Sequence, residues 1–320
     1  MAGPVRVLSI DGGGIRGVIP AAVLTEIERR TDRPAAELFD LIAGTSTGGI
    51  IALGLTAPGD GGAPRWRAAD LLDLYRSEGA HIFSRSVWQR IRTAEGVLDE
   101  KYPADGLEAA LQRYFGDARL RDALAPVLVT SYELEGRKPF FFRSRRAAAD
   151  PVFDFPMREA ARATSAAPTY FEPPQLVNQA DGQRYALVDG GVFANNPSMC
   201  AYAEVLAEDR DAEVLMVSLG TGQLNRPIHY AQAKDWGLLG WARSIFNVVL
   251  DGVSDTTDYE LEQVLRDRHA RFQIELIGAS DDMDDASPEN IAHLEHKAAE
   301  LLADPENDAK LDRVCAALVA

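Results

Sequence analysis

Short apolar runs separated by glycine-rich turns recur along the first part of the chain. Val5–Ile10 is apolar and contains β-branched residues, which predicts a buried strand, and Phe39–Ala43 predicts a second one. Apolar residues at helical spacing within Ile19–Arg30, and again within Ile50–Leu55, predict a helix after each strand. Strand, helix, strand and helix in this order predict parallel strands joined by right-handed crossovers, and therefore an α/β fold.

Further strands and two long helices are predicted beyond the first hundred residues. The strand patterns are apolar runs bounded by proline or glycine, at Pro126–Thr130, Pro139–Phe142, Tyr185–Gly191 and Glu213–Gly222. Helical patterns cover 235–265 and 289–302, and the acidic segment "SDDMDDASPE" between them is interpreted as a solvated loop. Because no repeat and no linker-like composition divides the chain, we expect residues 1–320 to form a single domain.

The composition is that of a folded protein with a strongly acidic balance of charges. Apolar residues make up 46% of the chain and charged residues 26%, while the net charge is −16. This charge argues against a nucleic-acid partner, and any membrane contact has to be apolar or locally basic. The two cysteines, Cys200 and Cys315, lack metal-like spacing, and the N-terminus lacks a signal-peptide pattern. These features predict a cytoplasmic protein.

The loop after the first predicted strand, "IDGGGIRG", has two interpretations. Its Gly12-x-Gly14-x-x-Gly17 spacing between a strand and a helix is that of a dinucleotide-binding turn. Such a site also requires an acidic residue at the end of the next strand, which here ends in "AGTS". In the second interpretation, backbone N–H groups of Gly12, Gly13 and Gly14 stabilise an oxyanion, and Arg16 holds the loop or adds positive potential.

The segment Gly44-x-Ser46-x-Gly48 fits a nucleophile elbow. It lies between a predicted strand and a predicted helix, and the glycines leave room for a turn too tight for side chains. The helix that follows directs the positive end of its dipole at the serine. The other interpretation of Ser46 is a helix N-cap.

A serine nucleophile needs a base, and Asp189 is the stronger candidate. It ends an apolar strand and is followed by Gly190 and Gly191, so its carboxylate is presented at a strand end. Because parallel strands gather their carboxyl ends at one edge of a sheet, we expect Asp189 to meet Ser46 there as a dyad. An apolar pocket would raise the pKa of Asp189 and make it a better base.

A histidine is the alternative base, as in an ordinary Ser-His-Asp esterase. His229, which follows a predicted strand, is the one reasonable member of such a triad. The other four histidines are predicted to lie in unsuitable or solvated positions: His81, His269, His293 and His296.

With "DGGGIRG", "GTSTG" and "DGG" in this order, the sequence resembles the patatin-like phospholipases. The stretches "ATSAAPTYFEP" and "DGGVFANNPS" extend the resemblance, which covers about 5–198. It implies a three-layer αβα fold with a mostly parallel central sheet, which residues 199–320 complete with added helices. It also implies that Ser46 is the nucleophile, Asp189 its base and the first motif the oxyanion hole. The implied reaction is hydrolysis of fatty acyl esters in phospholipid or galactolipid, with no metal or other cofactor.

Two longer segments, "FDLIAGTSTGGIIALGL" and "WGLLGWARSIFNVVLDGVSDTTDYEL", look like bacterial patatins that act in cyclic-oligonucleotide antiviral signalling. This resemblance implies activation by a cyclic dinucleotide such as cGAMP. The alternative from another class is a nucleotide-binding signalling module whose glycine loop cradles phosphate. Either protein is compatible with a homo-oligomer.

Two segments offer a transient peripheral contact with a membrane. On the predicted helix from Asp235, apolar residues including Trp241, Ile245 and Val249 form a stripe wider than one packing face needs. Packing in the core is the favoured interpretation of this stripe, and an interfacial helix or a lid is the alternative. The segment "GRKPFFFRSRR" is a local basic cluster, interpreted as a strand with solvated ends rather than a headgroup site.

Overall fold

The computed structural model describes residues 3–82, 105–168, 170–223, 228–234, 236–280 and 282–320. Its strands are β1 (Val5–Ile10), β2 (Leu41–Thr45), β3 (Val127–Glu133), β4 (Lys138–Arg143), β5 (Gln175–Val177), β6 (Arg184–Asp189), β7 (Val214–Leu219) and β8 (His269–Phe272).

The helices lie between and after these strands. They are α1 (Val18–Thr31), α2 (Ala35–Leu38), α3 (Thr47–Thr56), α4 (Ala68–Ile82), α5 (Asp105–Phe115), α6 (Ser144–Ala149), α7 (Met157–Thr164), α8 (Gly191–Ala194), α9 (Ser198–Glu208), α10 (Tyr230–Ala233), α11 (Leu238–Leu265), α12 (Pro288–Ala303) and α13 (Pro305–Val319).

The eight strands form one mostly parallel sheet, in which seven follow the order β5-β6-β3-β2-β1-β7-β8 and β4 pairs with β3 outside this order. Strands β3, β2, β1, β7 and β8 are parallel to one another. Strand β4 pairs antiparallel with β3, and so does β6, which reaches only the last residues of β3 and also pairs antiparallel with β5. Since β2 pairs with the first residues of β3, β2 and β6 run toward each other along the same edge of β3.

Helices cover both faces of the sheet, because alternate residues of the central strands point to opposite sides. On one face Leu8, Ile42 and Val129 pack with residues of α1, α3, α4, α12 and α13. On the other face Val7 and Leu128 pack with residues of α9 and α11. The predicted three-layer α/β fold with a mostly parallel sheet is confirmed.

The predicted strand β1 has the observed bounds, and the other predicted strands lie within a few residues of observed ones. The short strands β5 and β8 were not predicted. His269, expected on the surface beside a helix, is instead the first residue of β8, with only 3% of its side chain exposed. Asp235, where the long predicted helix begins, lies outside the described residues, and α11 starts at Leu238.

The acidic segment between β8 and α12 is not a solvated loop throughout. Asp284 is 2% exposed, and the Met283 carbonyl accepts a hydrogen bond from the N–H of Ile15 at 2.9 Å. This segment therefore packs on the glycine loop that follows β1. Its Asp281 lies outside the described residues.

The basic segment around β4 forms the expected strand, and two of its arginines are paired with acidic side chains. Arg143 forms a salt bridge with Glu204 at 3.0 Å, and Arg145 pairs with Glu208. Both partners lie on or at the end of α9, so part of the local positive charge is compensated within the fold.

The length and apolar character of the helices decide whether any of them could span a membrane. Within the described ranges, none of them combines the length and the apolar character that a membrane span requires.

Candidate active site

Ser46 occupies a strained turn between β2 and α3. Its φ of 54° and ψ of −124° lie outside the regions that non-glycine residues normally adopt. Because a Cβ at Gly44 would lie 2.1 Å from the Gly48 carbonyl oxygen, and one at Gly48 would lie 2.1 Å from the Ile10 carbonyl oxygen, the turn needs glycine at both positions. This conformation and its position at a strand-to-helix junction are those of a nucleophile elbow.

Side chains from distant parts of the chain hold this turn in place. The N–H of Ser46 donates to Thr164 Oγ1 at 2.8 Å, and that hydroxyl donates to the Thr130 carbonyl at 2.6 Å. The hydroxyl groups of Thr47 and Tyr75 form a short hydrogen bond on the other side. The strain at Ser46 is thus opposed by buried hydrogen bonds from α7 and α4.

The glycine loop after β1 contributes Gly13 and Gly14 to the pocket that holds Ser46. The N–H of Gly12 donates to the Asn195 carbonyl at 3.0 Å and is therefore already used. Among the hydrogen bonds of the described residues, none involves the N–H of Gly13 or Gly14, and both residues line the same pocket as Ser46. Two of the three predicted oxyanion donors are therefore available to a ligand.

Gly14 and Arg16 shape the rest of this loop. Gly14 has a φ of 60°, and a Cβ there would lie 2.1 Å from the Met283 carbonyl oxygen, so only glycine fits. Arg16 is buried; its Nε donates to the Gly13 carbonyl at 3.3 Å and its Nη1 to the Gly222 carbonyl at 3.4 Å. The guanidinium thus fastens the loop to the segment that follows β7.

Asp189 lies in the same pocket, but the strand arrangement that places it there differs from the predicted one. It ends β6, which is antiparallel to β3, so its position does not come from parallel strands ending at one edge. Instead, Asp189 pairs with Ser131 of β3 while Thr45 pairs with the preceding residue, Thr130. Strands β2 and β6 therefore end against each other, and this brings Ser46 and Asp189 together.

The surroundings of Asp189 favour its neutral form. It is 4% exposed, and burial raises the pKa of Asp189 to about 7. A hydrogen bond with the Ser46 side chain and one from the Gly191 N–H, at 2.7 Å, act in the opposite direction on the pKa. The carboxyl group therefore titrates near neutral pH, which suits a general base.

Ser46 and Asp189 lie in a pocket of about 800 Å³, including its space open to solvent. Most of the lining side chains are apolar, and they come from helices α3, α4, α5 and α11 and from two segments outside the helices: Ile50, Leu74, Tyr75, Leu107, Leu250, Phe171 and Met283. A pocket of this size and character suits an acyl chain better than a polar group.

The histidine alternative finds no support in this geometry. His229 is exposed at the start of α10, and within the described ranges no histidine lines the pocket. His81 lies in α4, but its side chain is outside the described part of the structure. The strained serine thus has Asp189 as its titratable partner in the pocket.

Comparison with known proteins identifies the family of this chain. A family model described as patatin-like phospholipase matches residues 8–202. The protein is a serine ester hydrolase of the lipid acyl hydrolase class. More particularly, the chain belongs to the patatin-like phospholipase family.

The comparisons give relatives from one plant and two similar solved structures. Patatin-15 of Solanum tuberosum is 32% identical over 333 residues, which cover 94% of this chain and 84% of the relative. The crystal structure of VipD from Legionella pneumophila aligns at 13% identity with a TM-score of 0.40, covering 94% of this chain and 67% of VipD. That of the type III effector ExoU aligns at 12% identity with a TM-score of 0.41, covering 98% of this chain and 54% of ExoU.

Several residues of the site were not identified from the sequence. Thr164 lies in "ATSAAP", where no pattern marks it as the acceptor for the Ser46 N–H. Tyr75 and Leu107 belong to amphipathic helices, in which nothing separates a pocket residue from a core residue. Met283 lies in the acidic segment, where a single apolar residue among aspartates was the available signal.

Replacing Asp189 with asparagine is expected to stabilise the protein at pH 8. Because folding raises the pKa of Asp189, its proton is bound more tightly in the folded state, and this stabilises the protein at low pH. The stabilisation is lost as the pH rises through about 7. Asparagine removes the buried charge, so the free energy of unfolding should rise by about 2–4 kcal/mol at pH 8. The gain should shrink steadily as pH is lowered toward 4. Urea unfolding at several pH values measures it.

The exposed Asp211 provides a matched control for this prediction. Asp211→Asn should leave the free energy of unfolding unchanged within about 0.5 kcal/mol at every pH. An Asp189→Asn variant that is no more stable than wild type at pH 8 would contradict a pKa of Asp189 raised by folding.

Proposed function

We propose that the protein hydrolyses fatty acyl esters of membrane phospholipids through an acyl-enzyme on Ser46, with Asp189 as the base. The observation that carries this proposal is the contact between a strained serine and a buried carboxyl group that titrates near pH 7, inside an apolar pocket. We also propose that residues 1–320 act as a single domain, since β7 and β8 extend the sheet that holds both residues.

In the first half of the proposed reaction, Ser46 Oγ attacks the ester carbonyl while its proton passes to the Asp189 carboxylate. The carbonyl oxygen becomes negatively charged and is stabilised by the N–H groups of Gly13 and Gly14. When the tetrahedral intermediate collapses, the bond to the alcohol breaks, and Asp189 returns the proton to the leaving alkoxide. The lysolipid departs and the acyl group stays on Ser46.

In the second half, water replaces the alcohol as the reacting group. Asp189 takes a proton from the water as the water oxygen attacks the acyl-enzyme, and the same N–H groups stabilise the second oxyanion. Collapse releases the fatty acid and returns the proton to Ser46 Oγ. One ester bond and one water molecule are consumed, with no further reactant.

Fatty-acid release from phospholipid vesicles is expected to require both members of the dyad. Ser46→Ala and Asp189→Asn should each lower kcat by about 10³-fold or more, because nucleophile and base act as one unit. For wild type, kcat/KM should rise with pH through about 7, where Asp189 loses its proton. The pH profile is measured with a soluble short-chain ester so that vesicle properties do not enter.

His229→Ala separates this proposal from a Ser-His-Asp mechanism. Since His229 is exposed, we expect its removal to leave kcat within about twofold of wild type. A dead but folded His229→Ala variant, or an Asp189→Asn variant with full activity, would reject the dyad. Tight nucleotide binding at the glycine loop without any Ser46-dependent hydrolysis would favour a signalling module instead.

We further propose that the first half of α11 contacts the lipid surface. The apolar residues Trp241, Ile245, Val248 and Val249 share one face of this helix and are each 39–45% exposed. The opposite face is the packed one: Leu250, Ser254, Thr257, Leu261 and Leu265 are buried. The interpretation of the stripe through Trp241, Ile245 and Val249 as core is therefore wrong for these three residues.

Charge and position make a lipid surface the fitting partner for this face. The sequence from Leu238 to Leu250 contains no acidic residue, although the chain carries a net charge of −16. The rings of Trp236 and Trp241 pack edge to face at 5.4 Å, and indole groups favour the boundary between water and lipid. Leu250, at the end of the same stretch but on the packed face, lines the pocket, so the same helix contributes both to the exposed apolar face and to the pocket.

A charge placed on this face is expected to weaken contact with lipid without disturbing the chemistry. Val248→Asp should lower binding to phosphatidylcholine vesicles, measured by co-sedimentation, by about tenfold, because an aspartate cannot enter the apolar boundary at low cost. The matched control is Val264→Asp, which changes an exposed valine on the same helix, 16 residues further along. Equal vesicle binding by the two variants would reject the surface, and both should hydrolyse a soluble ester like wild type.

We also propose, from the resemblance of the segments around Ser46 and along α11, that a cyclic dinucleotide activates the enzyme. If so, a panel of cyclic dinucleotides that includes cGAMP should raise Ser46-dependent fatty-acid release by about tenfold or more, a coupling within the range that allosteric effectors reach. Ser46→Ala with each nucleotide is the control. Equal rates with and without every nucleotide would reject activation while leaving the hydrolase proposal intact.

A further inference from the structure

The direction of the Gly13 N–H is set by the carbonyl group of Gly12. Both groups belong to one trans peptide, in which the C=O and N–H bonds point in opposite directions. The Gly12 carbonyl accepts a hydrogen bond from Thr221 Oγ1 at 2.7 Å. Because this bond fixes where the carbonyl points, it also fixes the direction of the N–H on the other side of the peptide.

Thr221 is held firmly in a position from which it can do this. It is 3% exposed and follows β7, the strand that pairs with β1 along its length. The two strand ends are tied by the N–H of Asp11, which donates to the Leu219 carbonyl at 3.0 Å. The side chain lies so close to the loop that a Cβ on Gly13 would come within 2.3 Å of Thr221 Oγ1.

Other contacts fix the residues on either side of this peptide but not its rotation. The Asp11 carboxylate is bound by both Nη atoms of Arg271, at 3.0 and 2.6 Å, and the N–H of Gly12 donates to Asn195. A peptide between two glycines rotates at little steric cost. The hydrogen bond to Thr221 is the one that selects a single orientation for it.

We propose that Thr221 is a positioning residue for the reaction, which aims the Gly13 N–H at the developing oxyanion. This role rests on the proposed hydrolase function and extends it to a residue beyond 8–202, the range that the family model matches. Thr221 does not touch the reacting atoms in this account. It acts through the peptide that supplies one of the two oxyanion donors.

The test compares Thr221→Val, which keeps the shape and removes the hydroxyl, with Thr221→Ser, which keeps the hydroxyl. With p-nitrophenyl butyrate as substrate, kcat of Thr221→Val should fall by about 10–100-fold, somewhat less than for complete loss of an oxyanion donor. KM should stay within about twofold, since the donor acts in the transition state. Thr221→Ser should keep kcat within about threefold of wild type, because the hydrogen bond is retained.

A pH profile separates positioning from a general disturbance of the pocket. The midpoint of kcat/KM depends on the burial of Asp189, so it should stay near 7 in both variants if only the peptide is affected. Full activity in Thr221→Val, an equal loss in both variants, or a shifted midpoint would each overturn the proposed role.

The same experiment distinguishes this inference from the function on which it rests. Wild type without Ser46-dependent hydrolysis would reject the hydrolase proposal itself. An active wild type with an unimpaired Thr221→Val variant would reject only the role of Thr221. If Thr221→Val does not fold, Thr221→Ala replaces it, with folding checked by circular dichroism and Ser46 titrated with a fluorophosphonate to count active sites.

Discussion

The turn at Ser46 is the constraint on which the rest of the site depends. A residue with a side chain is held at a φ of 54°, in a region that costs free energy for anything but glycine. The conformation persists because β2 and α3 fix both ends, and because Thr164 accepts a hydrogen bond from the Ser46 N–H inside the fold. The helix after the turn then begins at the serine, and the glycine loop and Asp189 are arranged around that fixed point.

A second constraint is the burial of an acidic group next to the serine. In water the carboxyl group of Asp189 would have a pKa of about 4, so it would be a weak base at neutral pH. The apolar pocket raises its pKa to about 7, at the expense of folding stability wherever the carboxyl is charged. The pocket that suits an acyl chain is thus the same feature that makes a carboxylate useful as the base, so substrate binding and proton transfer are properties of one apolar surface.

The sequence predicted the central strands, the glycine loop and the elbow because each depends on local chemistry. An apolar run, a glycine where no Cβ fits, and a serine between glycines are all visible within about ten residues. The sequence did not show why Asp189 meets Ser46, because β6 pairs antiparallel with β3 and only the register of two distant strands brings the residues together. It also missed β8, although "HARFQIEL" alternates apolar and polar residues, since the charged residues around this stretch favoured a helix or surface segment.

The C-terminal third of the chain changes how the motifs should be understood. The three glycine-containing motifs all lie before residue 192, yet the loop after β1 is in contact with Thr221, Arg271 and Met283. Arg271 spans from β8 across β7 to the carboxylate at the end of β1, which is a buried ion pair that would be costly to leave half-made. The glycine loop therefore packs against β7, β8 and the acidic segment. A fragment ending after the last motif would contain every motif residue but would lack the contacts that give the loop its shape.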